Sequence, residues 1–373
     1  MRPIRRLCRP FIAATVACSL TRGLAVSVSA TPSATARTTA SWLAAQVQPD
    51  GSVISPYTAL PSVDWTANVA LALAPAGTEP AALGRAMGYL RTHVTDYVTG
   101  GTSDVAGRLA WLILLAHTMG DDPFAFGTPA TDLVTLLQAR YGVDDPHVYG
   151  LVDDWTPVTN QSLALMALHV AGVTPPADAV QWLVDQQCTV PSSADGGWQG
   201  YRAPVGAGLA PCRNPGPGLI DAPEVNSTSF AIEALIALGV TGPIPRAISW
   251  LEDLQSAGGT NPGGFGQCPG DDADPNSTAV AIQALVAAGV DPSTRILAGH
   301  DPVSSLAGWV ISSGPDAGAM ASPWSSGSAD LYATYQGEWG LLLAPLPFPY
   351  TTPIPPTTTT AGPPAPVAPA FTG

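Results

Sequence analysis

Apolar residues recur at helical spacing in short segments from about residue 37 to residue 345, and no convincing period-two strand run appears among them. The clearest segment covers residues 274–290, which have a polar start, one apolar face and a glycine stop. Asn276 and Ser277 are suited to the N-cap, because their side-chain oxygens can accept first-turn amides. Gly289 is suited to the left-handed position that ends a helix. This segment predicts one helix rich in small residues.

The same pattern recurs and predicts six helix pairs. Glycines that suit the same helix stop are Gly77, Gly120, Gly172, Gly239 and Gly289. The second helix of each pair is predicted near residues 65–77, 104–120, 159–172, 226–239, 276–289 and 329–344. The first helix is predicted near residues 41–46, 86–91, 132–138, 179–187, 247–255 and 305–311. A repeated unit of this kind cannot bury its apolar face alone, so the pairs are expected to stack into one domain.

The connections between the helices are asymmetric. Short proline-rich joints such as residues 172–176 and 239–243 lead from a second helix to the next first helix. Long loops lead from a first helix to its partner, over residues 47–63, 142–159, 188–225 and 256–275. If the second helices run in parallel, all the long loops gather at one end, and binding or catalysis concentrates on such loops. That end is the predicted functional face.

The two ends of the chain have other compositions. Five arginines surround the apolar run of residues 11–20, which is too short to span a bilayer, so residues 1–36 are predicted to be a signal peptide and spacer. Residues 346–373 are rich in proline and threonine and are predicted to be a disordered tail after the domain of residues 37–345. The final P-A-F-T-G resembles part of a wall-sorting pentapeptide. We therefore expect a secreted protein without a membrane span in the mature chain, and cell-wall association is a further candidate.

The net charge of the chain narrows the classes of molecule that it can bind. The net charge is −14, the chain has no lysine, and removal of the signal peptide makes the charge more negative. Such a charge opposes binding to nucleic acid or anionic lipid.

In an oxidising compartment the three remaining cysteines allow one disulfide, and Cys188–Cys212 is preferred because both lie in one long loop region. A Cys188–Cys268 bond across neighbouring repeats is the alternative.

Two glycine-rich units carry a family resemblance: D-G-G-W-Q from Asp195 and P-G-G-F-G-Q from Pro262. Each precedes an acidic residue and an N-S-T helix start, and together they resemble the prenyltransferase/squalene-oxidase repeat. The resemblance is strongest over residues 175–290. It implies an all-α fold, an α/α toroid of six helix pairs, in which six parallel inner helices stand inside an outer ring. The superfamily includes terpenoid cyclases, protein prenyltransferase β subunits, thioester proteins and the helical domain of cobalamin carriers.

The activity motifs of these relatives are incomplete here. Class II terpenoid cyclases carry D-x-D-D-T-A, in which the middle aspartate protonates the substrate. The corresponding D-P-N-S-T-A keeps Asp274 but has Asn276 at the acid position, so the resemblance implies loss of that chemistry. The D-x-C zinc pattern of prenyltransferases has asparagine in place of cysteine, at Asn226 and Asn276. We therefore expect no metal and no cofactor, and we expect His117 and His169 to be packing residues.

Candidate ligand-binding residues lie at or just before the starts of the second helices. They are Asp64, Trp65, Asp153, Asp154, Trp155, Asn160, Glu224, Asn226, Asp274 and Asn276. Tyr335 and Glu338 in the last unit join them, together with Tyr332 and Trp339. Helix capping explains acids and amides at these positions equally well. The loop aromatics Trp198, Phe265 and Trp324 are expected to fold back on their own repeats.

Three functions remain open at the level of sequence. The first is a secreted binding or cell-surface module for a small molecule, sugar or peptide. The second is an isoprenoid cyclase or transferase with a rearranged acid, for which Asp272, Asp274 or the pair Asp153 and Asp154 are candidates. The third is a carbohydrate-active toroid enzyme that uses two carboxylates. Predicted export and the missing motifs favour the first.

Overall fold

The computed structural model describes residues 32–99, 105–143, 145–150, 157–189, 192, 194–200, 212 and 222–349. The predicted signal peptide, apart from its last residues, and the tail beyond residue 349 lie outside this part of the chain. The described residues form twelve α-helices: α1 Ala34–Gln46, α2 Val63–Ala76, α3 Pro80–Thr99, α4 Val105–Met119, α5 Leu133–Gln138, α6 Pro157–Val170, α7 Ala177–Asp185, α8 Val225–Ala237, α9 Ile244–Asp253, α10 Pro275–Ala287, α11 Pro302–Ala307 and α12 Leu331–Leu341. An antiparallel ribbon joins β1 (Val53–Ile54) to β2 (Pro61–Ser62).

The even-numbered helices form a closed inner ring. Each contacts the next one along the chain, and α12 contacts α2 to complete the circle. Neighbouring inner helices contact each other turn by turn from the same end. The hydroxyls of Thr159 and Ser227, each in the first turn of its helix, are 3.4 Å apart. The inner helices therefore run in parallel, and the odd-numbered helices pack outside them. The predicted α/α toroid of six helix pairs is confirmed.

The inner helices end as the sequence predicts. The five stop glycines (Gly77, Gly120, Gly172, Gly239 and Gly289) all have φ between 65° and 75°. In the repeat of α10, the amide of Val290 donates to the carbonyl of Leu285 over 2.9 Å, which satisfies an end-of-helix acceptor. The sixth inner helix differs, because Leu343, with φ of 53°, takes the left-handed position there.

The predicted N-cap of α10 is wrong by two residues. Asp274 is the cap, and its carboxylate accepts the amide of Ser277 over 2.8 Å. Pro275 is the first helical residue, a position where proline loses no hydrogen bond. Asn276 and Ser277 instead lie inside the first turn, where both are buried.

A threonine in the first turn of four inner helices fixes the preceding loop. Its hydroxyl accepts a loop amide over 2.8–2.9 Å, in the pairs Thr66–Val53, Thr228–Trp198, Thr278–Phe265 and Thr334–Met320. Trp198 and Phe265 are buried against their own repeats, as predicted. The expectation for Trp324 is wrong: its side chain is 70 % exposed, because Met320 occupies the equivalent buried place.

Aromatic rings fill the middle of the inner ring. Trp111 of α4 lies 5.4 Å from Trp339 of α12 and 6.1 Å from Phe230 of α8, measured between ring centroids. Phe348 packs against Trp339 from the chain that follows α12, at 6.3 Å. Each buried aromatic side chain contributes roughly 2–3 kcal/mol by removal of its surface from water. Phe230, Trp339 and Phe348 therefore belong to the core, and the half-buried Trp111 packs against it.

The packed chain continues past residue 345. The amide of Leu346 donates to Glu233 of α8 over 2.8 Å, and Gln283 of α10 donates to the carbonyl of Ala344 over 2.8 Å. Leu346 and Phe348 are both buried. These contacts tie the end of the described chain to the second halves of two inner helices.

The predicted Cys188–Cys212 disulfide is confirmed, with Cα atoms 5.7 Å apart. Cys268 is buried and takes no part in that bond. Among the helices of the described ranges, none combines the length and the apolar composition needed to span a bilayer.

Candidate functional site

Four aromatic residues and one carboxylate meet where the inner helices begin. We call this set the mouth; it consists of Tyr57, Asp64, Trp65, Tyr332 and Tyr335. The ring of Trp65 lies 5.8 Å from Tyr57, 6.5 Å from Tyr332 and 5.9 Å from Tyr335. Tyr57 is 83 % exposed and Tyr332 42 % exposed, whereas Trp65 and Tyr335 are buried. The mouth is thus an aromatic surface whose outer members are accessible from outside.

Asp64 gives the mouth its charge. It is exposed, and one carboxylate oxygen accepts the hydroxyl of Tyr97 over 2.9 Å. Burial raises the pKa of Tyr335 well above its usual range, with further contributions from Tyr332 and Asp64. The phenol of Tyr335 therefore keeps its proton, and a protonated phenol can both donate and accept hydrogen bonds.

Glu224 and Asp274 are buried helix caps beside the mouth. Glu224 accepts the amides of Asn226, over 3.0 Å, and of Ser227. Burial raises the pKa of Glu224 and raises that of Asp274 to about 6. Although 42 % of the Tyr332 side chain is exposed, its partial burial, followed by the charges of these two acids, raises its pKa to about 12. Both acids therefore act on the mouth electrostatically while they hold the starts of α8 and α10.

The predicted asparagines pack between inner helices. Asn276 is buried, and its amide nitrogen donates to Gln336 of α12 over 2.7 Å. The side-chain oxygens of Asn226 and Asn276 are buried and have no hydrogen-bond partner in the described part of the chain. Asn160 is buried against α4, where a Cβ added to Gly107 would lie 2.6 Å from its side-chain oxygen. Asp153, Asp154 and Trp155 lie outside the described residues.

Glu338 lies away from solvent in the interior. It is fully buried, and neither carboxylate oxygen has a hydrogen-bond partner among the described residues. Burial raises its pKa well above the usual range, because a carboxylate charge is disfavoured away from water. The structure thus brings Asp64, Trp65 and Tyr335 together in the mouth and leaves Glu338 as a buried acid.

Sequence reasoning missed Tyr57 and Asp330. Asp330 caps α12, and it stands four residues before Thr334, as Asp274 stands four residues before Thr278. That spacing could have identified it. Tyr57 belongs to the loop between β1 and β2, and no spacing in the sequence signals its contact with Trp65.

No group of three or more histidine, cysteine, aspartate or glutamate side chains within the described ranges is arranged to hold a metal ion. His117 is half-buried, as expected of a packing residue, but His169 is exposed. Burial, and then the nearby His169, lower the pKa of His117. The two histidines lie in the last turns of α4 and α6, at the end of the ring opposite the mouth.

No family model matches the chain, and no curated protein matches it. Solved structures do resemble it. An α-1,6-mannanase of the GH76 type from Salegentibacter aligns with a TM-score of 0.55 and 12 % identity over 83 % of this chain and 97 % of the mannanase. The type II terpene cyclase MstE from Scytonema, solved with its product merosterolic acid A, aligns with a TM-score of 0.51 and 14 % identity over 83 % of this chain and 95 % of the cyclase. A protein from Actinoplanes aligns with a TM-score of 0.52 and 17 % identity over 83 % of this chain and 98 % of that protein. At these identities the comparisons establish that the chain has the α/α-toroid fold, which a terpene cyclase and a mannanase share.

Proposed function

We propose that the protein is a secreted binding module whose mouth takes a neutral ligand with an apolar face and hydroxyl groups, a sugar being the first class to test. The observation that carries this proposal is the exposed aromatic pair Tyr57 and Tyr332 around Trp65. Aromatic side chains offer flat apolar area, and tyrosine adds a hydroxyl that can hydrogen-bond. Asp64 adds an acceptor, and its charge disfavours anionic ligands.

The residue at the position of the cyclase proton donor supports a binding function over a cyclase function. The terpenoid-cyclase resemblance puts the proton donor at Asn276, and here that side chain is an amide engaged with Gln336. An amide cannot supply the strong acid that protonation of an alkene requires. In the same ring of inner helices, Trp111 of α4 contacts Phe230 of α8 and Trp339 of α12.

The repeat relationship is part of the same proposal. Descent from the prenyltransferase/squalene-oxidase repeat is supported by the glycine-flanked turns at Gly196 and Gly263, both with positive φ. A Cβ at Gly263 would lie 2.7 Å from the Cβ of His300, in the segment leading to the next outer helix, so only glycine permits this close approach. Export and cell-wall association rest on the two ends of the sequence and belong to the proposal in the same way.

The test is a binding titration of the full chain against neutral trisaccharides, starting with α-1,6-mannotriose because a GH76 mannanase has been solved in complex with it. We expect Tyr332→Ala to weaken binding about tenfold, equivalent to about 1.4 kcal/mol for a lost aromatic contact. Phe124→Ala is the matched control, because Phe124 is 43 % exposed against 42 % for Tyr332 and lies beyond the opposite end of α4. Equal effects of both substitutions, or none from Tyr332→Ala, would place the ligand elsewhere.

A carbohydrate-active enzyme is the second candidate, favoured by one observation. Asp274 and Glu224 are carboxyls with raised pKa values near Tyr332, and a raised pKa is what a general acid needs. Asp153 and Asp154 add two consecutive aspartates in the sequence before α6. Release of reducing ends from α-1,6-mannan, lost in Asp274→Asn or in the double variant Asp153→Asn/Asp154→Asn but kept in Asp301→Asn, would favour the enzyme over the binding module.

A further inference from the structure

A second cleft lies beside the last repeat, away from the axis of the toroid. It has a volume of roughly 530 Å³, within the range of small-molecule sites. Its walls come from residues 308–313 after α11, from residues 321–323, 326 and 327 before α12, and from Thr260 and Asn261. Two loops distant in sequence thus enclose one space.

The polar groups in this cleft are uncharged and available. The side chains of Thr260, Asn261, Ser312, Ser313 and Ser326 line it, and none of them makes a hydrogen bond to the described residues. No acidic, basic or histidine side chain lines it. Neutral hydroxyls and an amide can pair with ligand hydroxyl groups in either direction. They offer no counter-charge to an ionic ligand.

An exposed tryptophan belongs to one of the two loops that enclose the cleft. Trp324 is 70 % exposed and directly follows Pro323, which lines the cleft. It is the glycine-flanked loop aromatic that does not fold back on its own repeat, so its side chain stays in solvent. The cleft also contains Trp309, whose buried indole N–H has no hydrogen-bond partner in the described part of the chain.

The loop that carries Trp324 is held in place before any ligand arrives. The hydroxyl of Ser325 accepts the amide of Ser322 over 2.9 Å and donates to the carbonyl of Ser328 over 2.7 Å. The hydroxyl of Ser322 donates to Asp330, the cap of α12, over 2.7 Å. The loop that carries Trp324 is therefore tied to an inner helix, which lowers the entropy lost on binding.

We propose that this cleft is a second ligand site, which binds a neutral oligosaccharide by stacking one ring on Trp324 and hydrogen-bonding its hydroxyls to Asn261 and the serine and threonine side chains. The proposal does not depend on the mouth, because the two sites use different residues. Its chemistry is a neutral polar wall with one exposed aromatic face. A charged ligand finds no partner in the lining.

The experiment resolves the two sites by tryptophan. In the full chain labelled with ¹⁵N-tryptophan, ten indole signals report separately on the cleft (Trp309, Trp324) and on the mouth (Trp65). The signals are assigned by single Trp→Phe variants, and the probes are α-1,6-mannotriose, cellotriose and chitotriose at about 10 mM, above a millimolar Kd. We expect saturable shifts of the Trp324 and Trp309 signals with at least one of these sugars. The proposal is overturned if none of these sugars causes a saturable shift of the Trp324 signal. It is also overturned if that shift is caused instead by a peptide with the sequence of residues 351–360, the proline- and threonine-rich tail.

Two variants test the geometry. Trp324→Ala should weaken binding at the cleft at least about fivefold, the loss expected for one aromatic contact. Gly308→Ala is compatible with the backbone, since φ there is −64°, but its Cβ would lie 2.5 Å from the side-chain oxygen of Asn261 and would displace that amide. Gly242→Ala is the control, because a Cβ there meets nothing within 4 Å.

The outcomes separate this proposal from the one for the mouth. Tyr332→Ala should leave the shifts at the cleft unchanged, and Trp324→Ala should leave any shift of Trp65 unchanged. If Gly308→Ala and Trp324→Ala bind like the wild type while their thermal unfolding is also unchanged, the assignment of the cleft is wrong.

Discussion

The buried cap Asp274 makes a quantitative prediction about stability and pH. Its carboxyl is 3 % exposed, and burial raises its pKa from 3.8 in the unfolded chain to about 6 in the folded protein. The folded state therefore holds this proton more tightly than the unfolded state. Stability contributed by the neutral form is complete below about pH 3.8 and is lost as the pH rises toward about 6. Two pKa units correspond to about 3 kcal/mol in the free energy of unfolding.

The perturbation is Asp274→Asn, which keeps an oxygen that can accept the amide of Ser277 but cannot ionise. Urea unfolding of both proteins at intervals from pH 4 to pH 8 gives the difference in unfolding free energy, in which the titration of all other groups cancels. We expect the free energy of unfolding of the variant to rise relative to that of the wild type as the pH rises, by up to about 3 kcal/mol. This difference should level off above pH 6–7.

An exposed cap serves as the control of opposite sign. Asp291 caps the short 3₁₀ turn Pro292–Thr294, and hydrogen bonds from Ser293 lower its pKa. The Asp291 carboxylate stabilises the fold at neutral pH, and this stabilisation is lost as the pH falls. Asp291→Asn should therefore be less stable than the wild type at neutral pH and equally stable in acid. A wild-type-to-Asp274→Asn difference that stays flat from pH 4 to pH 8, or that changes in the same direction as for Asp291→Asn, would refute the reasoning.

Three further predictions concern stability. Thr278→Val should cost about 1–3 kcal/mol in urea unfolding, because it orphans the buried amide that donates to this hydroxyl over 2.9 Å; an unchanged midpoint would contradict this role. Gly239→Ala should cost about 1 kcal/mol because φ is 74° there, whereas Gly242→Ala should be neutral or slightly stabilising; equal midpoints would contradict it. Cys188→Ser should lower stability by about 3 kcal/mol through loss of a bond that closes a loop of 24 residues, and a reducing agent should remove the difference from the wild type.

Much of the fold could be predicted because its signals are local. The glycine stops work through a single φ angle, and helical spacing of apolar residues selects one buried face on outer helices such as α9. The predicted single apolar face of α10 is wrong, because every residue from Pro275 to Leu285 is buried inside the ring. The error at the cap of α10 is also local: an aspartate before proline competes with the Asn–Ser pair for the same amides, and Asp274 accepts the amide of Ser277. The Cys188–Cys212 bond followed from the shared loop region.

The candidate site was less accessible to sequence reasoning. Trp324 and Trp198 both occur in glycine-flanked loops, yet one is exposed and the other fully buried, because Met320 fills the place in the last repeat that Trp198 fills in its own. Glu338 lies three residues after Tyr335 on the same helix, and only Tyr335 belongs to the mouth.

The sequence by itself determined the existence of the helices, the glycine stops of five inner helices, the pairing into six units and the likeness to toroid proteins, since each depends on residues within a few turns of one another. It did not determine the full extent of the outer helices, since residues 86–91 were predicted where α3 runs from Pro80 to Thr99. Tertiary structure alone decided which side chains meet at the mouth, how the cleft beside α11 is enclosed and how the end of α12 is covered. The reason is distance along the chain: Leu346 meets Glu233 across 113 residues, and Trp65 of the first unit meets Tyr335 of the last only because the ring closes. Ring closure sets the rotation of every inner helix about its axis, and no local pattern encodes that angle.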